Sequence, residues 1–191
     1  MKKITVFGKG NMGSAIGARF QEAGNVVSYI ESSEVANGLG DIVVLAVPYA
    51  AVSSILETYK KDLEGKIIVD ITNPVDFSTM DGLVVPADGS GANEIAKVAT
   101  KSLVVKAFNT NFAATLGSKD VAGKETTTVL LASDSDDAKA IVTEALIPSG
   151  LAVLDAGSLK RARELEAMGF LQITLAIRGQ IGWTGGFAVL K

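Results

Sequence analysis

At 191 residues, 48% hydrophobic and 20% charged, the chain is long enough for one full-sized core and has the composition of a soluble globular protein. Its 18 basic and 21 acidic residues give a net charge of -3 and are scattered without long runs, leaving no footprint for nucleic acid and no polybasic arm for anionic lipid. With 0 Cys and 0 His, disulfides, thiolate metal sites, a cysteine nucleophile and the commonest general base are all excluded, so chemistry is expected from a bound cofactor, with no side-chain catalyst and no metal.

The apolar run after Met1-Lys2-Lys3 is too short for a secretory leader, and no stretch is apolar enough to span a membrane, so a cytoplasmic location is expected. In chain order the pattern predicts a strand over 4–7, a helix over 11–23 with Met12, Ile16, Phe20 and Ala23 on one face, and a strand over 26–30. Residues 42–47 form an unbroken apolar run, as in a parallel strand covered on both faces, and Pro48 opens a helix to about residue 59. A strand over 67–71 precedes a polar, glycine-rich stretch at 72–91. A helix at about 92–100, strands at 103–106 and 127–132, and a helix starting within 133–137 and ending near 147 follow. A strand at 151–154 and helical residues over 159–177 complete the series. Such alternation predicts an α/β fold with a doubly wound, mostly parallel sheet. We expect one dinucleotide-binding domain over 1–191, with 158–191 as a C-terminal helical extension.

Gly8-x-Gly10-x-x-Gly13 falls between the first strand and the first helix, inside a strand-helix-strand unit of about 30 residues, which is the setting of a dinucleotide-binding turn. Gly8 allows the tight turn, Gly10 lets a pyrophosphate approach the backbone and Gly13 lets helix and strand pack, while the amides near Asn11 and Met12 face the phosphates. Gly17, one turn on, reads as a packing glycine. At the end of the second strand Glu31 stands where a carboxylate usually accepts from the adenosine ribose, which favours NAD. Lys9, Ser32 and Ser33 instead suit a 2′-phosphate, which favours NADP. Both cofactors stay open at this point, and Glu31 and Lys9 also read as ordinary solvated side chains.

Five ordered segments carry a resemblance: Gly8-Lys9-Gly10-Asn11-Met12-Gly13, Ala46-Val47-Pro48, Asp70-Ile71-Thr72-Asn73-Pro74, Val105-Lys106-Ala107-Phe108-Asn109-Thr110 and Leu154-Asp155-Ala156-Gly157-Ser158-Leu159. Together the chain resembles the NADP-dependent deazaflavin (coenzyme F420) reductases, and also the cytosolic domain of the six-transmembrane metalloreductases. The resemblance implies a Rossmann NAD(P)-binding fold and an oxidoreductase that passes hydride between NADP(H), with NAD possible, and a flavin, deazaflavin or other small acceptor. It implies that Lys9, Ser32 and Ser33 face the 2′-phosphate, that Ala46, Val47 and Pro48 lie beside the nicotinamide ribose, and that Asn73, Pro74 and Ala107 line the nicotinamide. It also implies a homodimer. The chain departs from the family where Ser-Arg commonly follows the second strand, having Glu31-Ser32 there. Only about ten residues separate Glu31 from Asp41 where members place a further helix and strand, which predicts a sheet without its third strand.

Residues 76–91, with Phe77, Met80, Asp88 and Ser90, read either as a lid over an acceptor ring or as a surface loop. Asn109, Thr110 and Asn111 read either as acceptor contacts or as turn formers. Apolar residues from Leu165 to Leu190, including Leu171, Ile173 and Trp183, read either as a subunit interface or as core. Two function classes follow: an NAD(P)-dependent oxidoreductase, and a non-catalytic NAD(P)-sensing module acting through a protein partner.

Overall fold

The structure, a computed structural model, describes residues 1–190. Its strands are β1 (Lys3–Phe7), β2 (Val26–Ile30), β3 (Ile42–Leu45), β4 (Ile67–Asp70), β5 (Leu103–Lys106), β6 (Asp120–Val121), β7 (Glu125–Thr126), β8 (Thr128–Leu131) and β9 (Ala152–Asp155). Helices are α1 (Asn11–Glu22), α2 (Tyr49–Thr58), α3 (Gly91–Val98), α4 (Ala113–Ser118), α5 (Asp136–Leu146) and α6 (Ala162–Ile177), with single 3-10 turns at Ile147–Ser149 and Leu159–Arg161. Among the described residues no helix is long and apolar enough to cross a membrane.

Five parallel strands form the central sheet in the order β2-β1-β3-β4-β5. The inner strands are mostly apolar because both faces are covered, most plainly in β3 (Ile-Val-Val-Leu), and period-two alternation divides their side chains between two cores. Val6, Val44, Val69 and Val105 meet Ile16 and Phe20 of α1, Leu116 of α4 and Val142 of α5 on one face. Val43, Leu45, Ile68 and Val104 meet Val52 and Leu56 of α2 and Ile95 of α3 on the other. Each such side chain contributes about 1.5–3 kcal/mol on full burial.

β2 is an edge strand, so the sheet lacks the third strand that a longer connection would supply, as the short 31–41 segment predicts. That segment ends in a close crossing: Gly40 N–H donates to Thr5 Oγ1 at 2.9 Å, and a Cβ on Gly40 would stand 2.4 Å from the Lys3 carbonyl oxygen.

The far side of the sheet departs from the purely parallel arrangement. After β5 the chain does not cross back. It forms α4 and the antiparallel β6–β7 pair, neither predicted from the pattern, and re-enters beside the carboxyl end of β5, where Asn111 Nδ2 donates to Thr128 O at 3.0 Å. β8 therefore runs antiparallel to β5, joined by the Lys106–Ala132 bridge, and β9 pairs parallel to β8. From β9 the chain enters α6, which passes along the carboxyl ends of β4 and β5. Gly169 marks the closest contact: a Cβ there would stand 2.6 Å from Asn73 Oδ1 and 2.7 Å from Asn109 O.

Candidate functional site

β1 ends at Phe7, and the chain turns at Gly8 with φ +92, a left-handed conformation that glycine adopts without strain. The turn is closed on two sides. Gly8 N–H donates to Ile30 O and Ala46 N–H to Phe7 O, both at 2.9 Å. A Cβ on Gly8 would stand 2.3 Å from the Ala46 carbonyl oxygen, and one on Gly13 would stand 2.1 Å from the Gly8 oxygen. Gly10 differs: it is the N-cap of α1, and a Cβ there would meet nothing within 4 Å. Two of the three glycines thus answer to packing, and the third faces open space above the first turn of α1, whose leading amides have no intrahelical acceptor. Gly17 packs as expected, its position filled by the Tyr29 hydroxyl 2.1 Å from where a Cβ would lie.

Above this turn lies a cleft of about 780 Å³. Gly8, Lys9 and Gly10 form one wall, Ile30, Glu31, Ser32, Glu34 and Val35 a second, and Ala46, Val47, Pro48 and the exposed side of α2 to Tyr59 the third. It opens where the chain, having placed β2 on one side of β1, places β3 on the other, the topological switch point at which open α/β sheets bind ligands. Tyr59 closes the outer end by accepting from Ala36 N–H at 3.0 Å through its hydroxyl. Lys9 Nζ lies over the Tyr29 ring, 5.4 Å from its centroid.

Of the residues singled out from the sequence, the fold brings Gly8, Lys9, Gly10, Glu31, Ser32, Ala46, Val47 and Pro48 together on this cleft. Asn11, Met12 and Gly13 form the first turn of α1 beneath it, with Met12 partly packed into the core. Ser33 is exposed on the same turn as Ser32 but outside the cleft walls. Asn73, Pro74 and Ala107 are not on the cleft. Pro74 and Ala107 are buried, and the Asn73 amide is closed on Asn109 by paired hydrogen bonds of 2.9 Å beneath Gly169. The resemblance implies that these three line the nicotinamide; of them, Asn73 is the one packed against α6, at Gly169. Asn109, Thr110 and Asn111 are likewise buried, and Asn109 Nδ2 also donates to Leu165 O, which fits the turn-forming reading. Ser90 is the N-cap of α3 and accepts from Asn93 N–H at 3.1 Å.

A cluster that the sequence reading misses sits under α6. Lys106 Nζ, fully buried, donates to Asp70 Oδ2 at 2.8 Å, Glu166 Oε1 at 2.7 Å and the Thr72 carbonyl. Glu166 Oε2 also accepts from Gly91 N–H at 2.8 Å at the start of α3. Burial raises the Glu166 carboxyl above its ordinary value, with Lys106 pulling the other way. Asp70 and Lys106 end adjacent apolar strands in direct register, which is the one sequence signal for this pair. Nearby Tyr49 is raised by burial and by the negative charges of Glu94, Glu166 and Asp70.

Comparison with known proteins gives consistent relatives. A family model described as NADP oxidoreductase, coenzyme F420-dependent, matches residues 27–74. The chain is 33% identical over 150 residues to the F420-dependent NADP reductase of Methanocaldococcus jannaschii, covering 76% of this chain and 66% of that protein. It is 36% identical over 106 residues to the metalloreductase STEAP3 of Rattus norvegicus, covering 56% of this chain and 20% of that one. A crystal structure from Arthrobacter sp. FB24, provisionally described as an F420-dependent NADP-reductase, superposes with a TM-score of 0.84 at 24% identity and full coverage of both chains, which establishes the shared fold. The chain thus spans just under two thirds of the length of the archaeal reductase.

Proposed function

We propose that the chain is a member of the coenzyme F420-dependent NADP oxidoreductases and that it transfers hydride between NADP(H) and a deazaflavin or flavin-like acceptor. One observation carries the reading to this chain's own residues. The Cβ position of Gly10 points into open space within a cleft at the switch point, directly over the unpartnered amides of α1, while the glycines on either side are packed shut.

In this reading the pyrophosphate lies against Gly8–Gly13, the adenosine between Lys9, Glu31, Ser32 and Ser33, and the nicotinamide ribose beside Ala46, Val47 and Pro48. The nicotinamide, when bound, supplies the hydride chemistry. The protein supplies orientation: backbone amides hold the phosphates, and the carbon-rich edge at Ala46–Pro48 keeps water from the ribose side. Contact from Asn73, Pro74 and Ala107, which lie off the cleft walls, requires local rearrangement. We place the protein in the cytoplasm, acting on a small molecule and on neither nucleic acid nor a membrane. We infer one domain, with the segment from residue 158 as its helical extension. The test is oxidation of NADPH followed by loss of reduced-nicotinamide absorbance with F420, FMN and FAD supplied in turn. Acceleration by F420 is the expected result. Tight dinucleotide binding without acceleration by any acceptor would overturn the enzyme reading in favour of a sensing module.

The same reading includes a homodimer. Leu171 and Ile177 on α6 are 52% and 56% exposed, and Trp183 is 53% exposed while stacking edge-on against Phe112 at 4.9 Å. Large apolar side chains left exposed on α6 and the segment after it suit a contact between copies. Leu171→Glu combined with Ile177→Glu should give a folded monomer by sedimentation, with an unchanged far-UV spectrum. An unmodified protein that sediments as a monomer at micromolar concentration would remove the dimer.

A further inference from the structure

We propose that Glu34, on the turn after β2, is a specificity-determining residue that weakens acceptance of a phosphate at the adenosine 2′ position. The proposal rests on the dinucleotide reading and goes further by naming the side chain that sets its cofactor preference.

Residues 31–34 form a turn closed twice. Glu34 N–H donates to the Glu31 carbonyl at 2.9 Å, and Glu34 Oε2 accepts from Glu31 N–H at 3.0 Å. Both glutamates line the cleft, but they are held differently. The Glu31 side chain is exposed and, among the described residues, makes no hydrogen bond or ion pair, so it can rotate into water at little cost. The Glu34 carboxylate is fastened to the rim by its bond to the backbone. Glu34 is therefore the carboxylate that the turn itself holds at the rim, where an incoming 2′-phosphate meets it.

The opposing charge is single. Lys9 is the one cation on the cleft walls among the described residues, and no arginine or further lysine lies between it and Lys60 in the sequence apart from Arg19 on α1. Lys9 is itself braced: its Nζ sits over Tyr29, whose hydroxyl is seated against Gly17. A 2′-phosphomonoester brings close to two negative charges to a rim that already carries two carboxylates and one ammonium. Lys9 attracts it, Glu34 repels it, and the ratio of affinities for the phosphorylated and unphosphorylated nucleotides is set by the pair.

Fragment binding separates this from the dinucleotide reading itself. Calorimetric titration with ADP and with 2′,5′-ADP is made on the unmodified protein and on Glu34→Gln, Glu34→Ala and Lys9→Ala. Glutamine keeps an acceptor for Glu31 N–H and loses only the charge. Glu34→Gln should bind 2′,5′-ADP roughly three- to fivefold more tightly while ADP changes by less than about twofold. The gain should shrink in high salt, as a charge effect at an exposed rim must. Lys9→Ala should weaken 2′,5′-ADP by about tenfold. If Glu34→Gln matches the unmodified protein while Glu34→Ala alters both ligands alike, Glu34 is a loop brace and the proposal fails. If the unmodified protein binds neither fragment, the dinucleotide reading fails first and takes this proposal with it.

Discussion

Gly10→Val should fold like the unmodified chain and lose dinucleotide binding by a factor of about a hundred or more, which is roughly 3 kcal/mol. Gly10 has φ -69 and ψ -170, extended backbone that any residue adopts, and its Cβ position is clear to 4 Å, so valine meets neither strain nor a neighbour in the protein. Its two methyl groups would occupy the space above the first turn of α1, where a pyrophosphate must come close to make hydrogen bonds with the backbone. Glycine at this N-cap makes no side-chain capping bond but is still favoured over valine there, so the helix gives up about 1 kcal/mol, too little to unfold the chain. Gly8→Val and Gly13→Val provide the contrast. Each would drive a side chain to within 2.3 Å or 2.1 Å of a carbonyl oxygen, and each should lower the melting temperature as well as binding. Near-normal NADPH affinity in a folded Gly10→Val would remove the glycine turn from the binding site.

Lys106→Met should cost about 3–5 kcal/mol of stability and lower the melting temperature by roughly 10 °C. Methionine nearly matches the stem of lysine, so the loss comes from charge rather than volume. Asp70 and Glu166 would keep their buried positions without the cation they share, at side-chain exposures of 0% and 1%. The pH dependence has a definite sign. Glu166 already has a folded pKa above its ordinary value, so it binds its proton more tightly in the folded state. Its contribution to stability is therefore fully present below the unfolded pKa and is lost as pH rises through the folded one. Removing Lys106 raises the folded value further, so the variant should recover stability relative to the unmodified chain on acidification. Adding Glu166→Gln should restore part of the loss at neutral pH, and the non-additivity measures the pairing. A Lys106→Met variant that melts with the unmodified protein at neutral pH would show that the cluster carries no net stabilisation.

Much of this fold is legible in the amino-acid order because its signals are local. Short apolar runs such as Ile42–Leu45 and Ile67-Ile68-Val69 announce strands covered on both faces, and the glycine spacing at 8, 10 and 13 announces the turn that follows β1. α4 and the β6–β7 pair are not legible. Six helical residues with no side-chain cap and strands of two residues are too short to show a period, and they take their form from contacts with the rest of the chain. The same reason separates the two ends of the candidate site. Gly8, Lys9 and Ala46 are placed by the strands they follow, so sequence position predicts them. Asn73 and Ala107 are also placed by strands, but their accessibility depends on packing from residues distant in the chain, α6 for Asn73 and the core for Ala107. Lys106 and Glu166 are 60 residues apart, and no pattern along the chain announces that they meet.

The edge position of β2 bears on how this protein can change over generations. The segment from Glu31 to Gly38 borders the outer end of the cleft, is mostly exposed, and is backed by no further strand, so substitutions and insertions there disturb little of either core. At Gly40 that freedom stops against the Lys3 carbonyl. Gly8 and Gly13, wedged against backbone, have no comparable latitude. If the cleft holds a dinucleotide as proposed, mutational drift can revise which nucleotide is preferred while the turn against its phosphates stays fixed, and the two properties can part company within a single lineage.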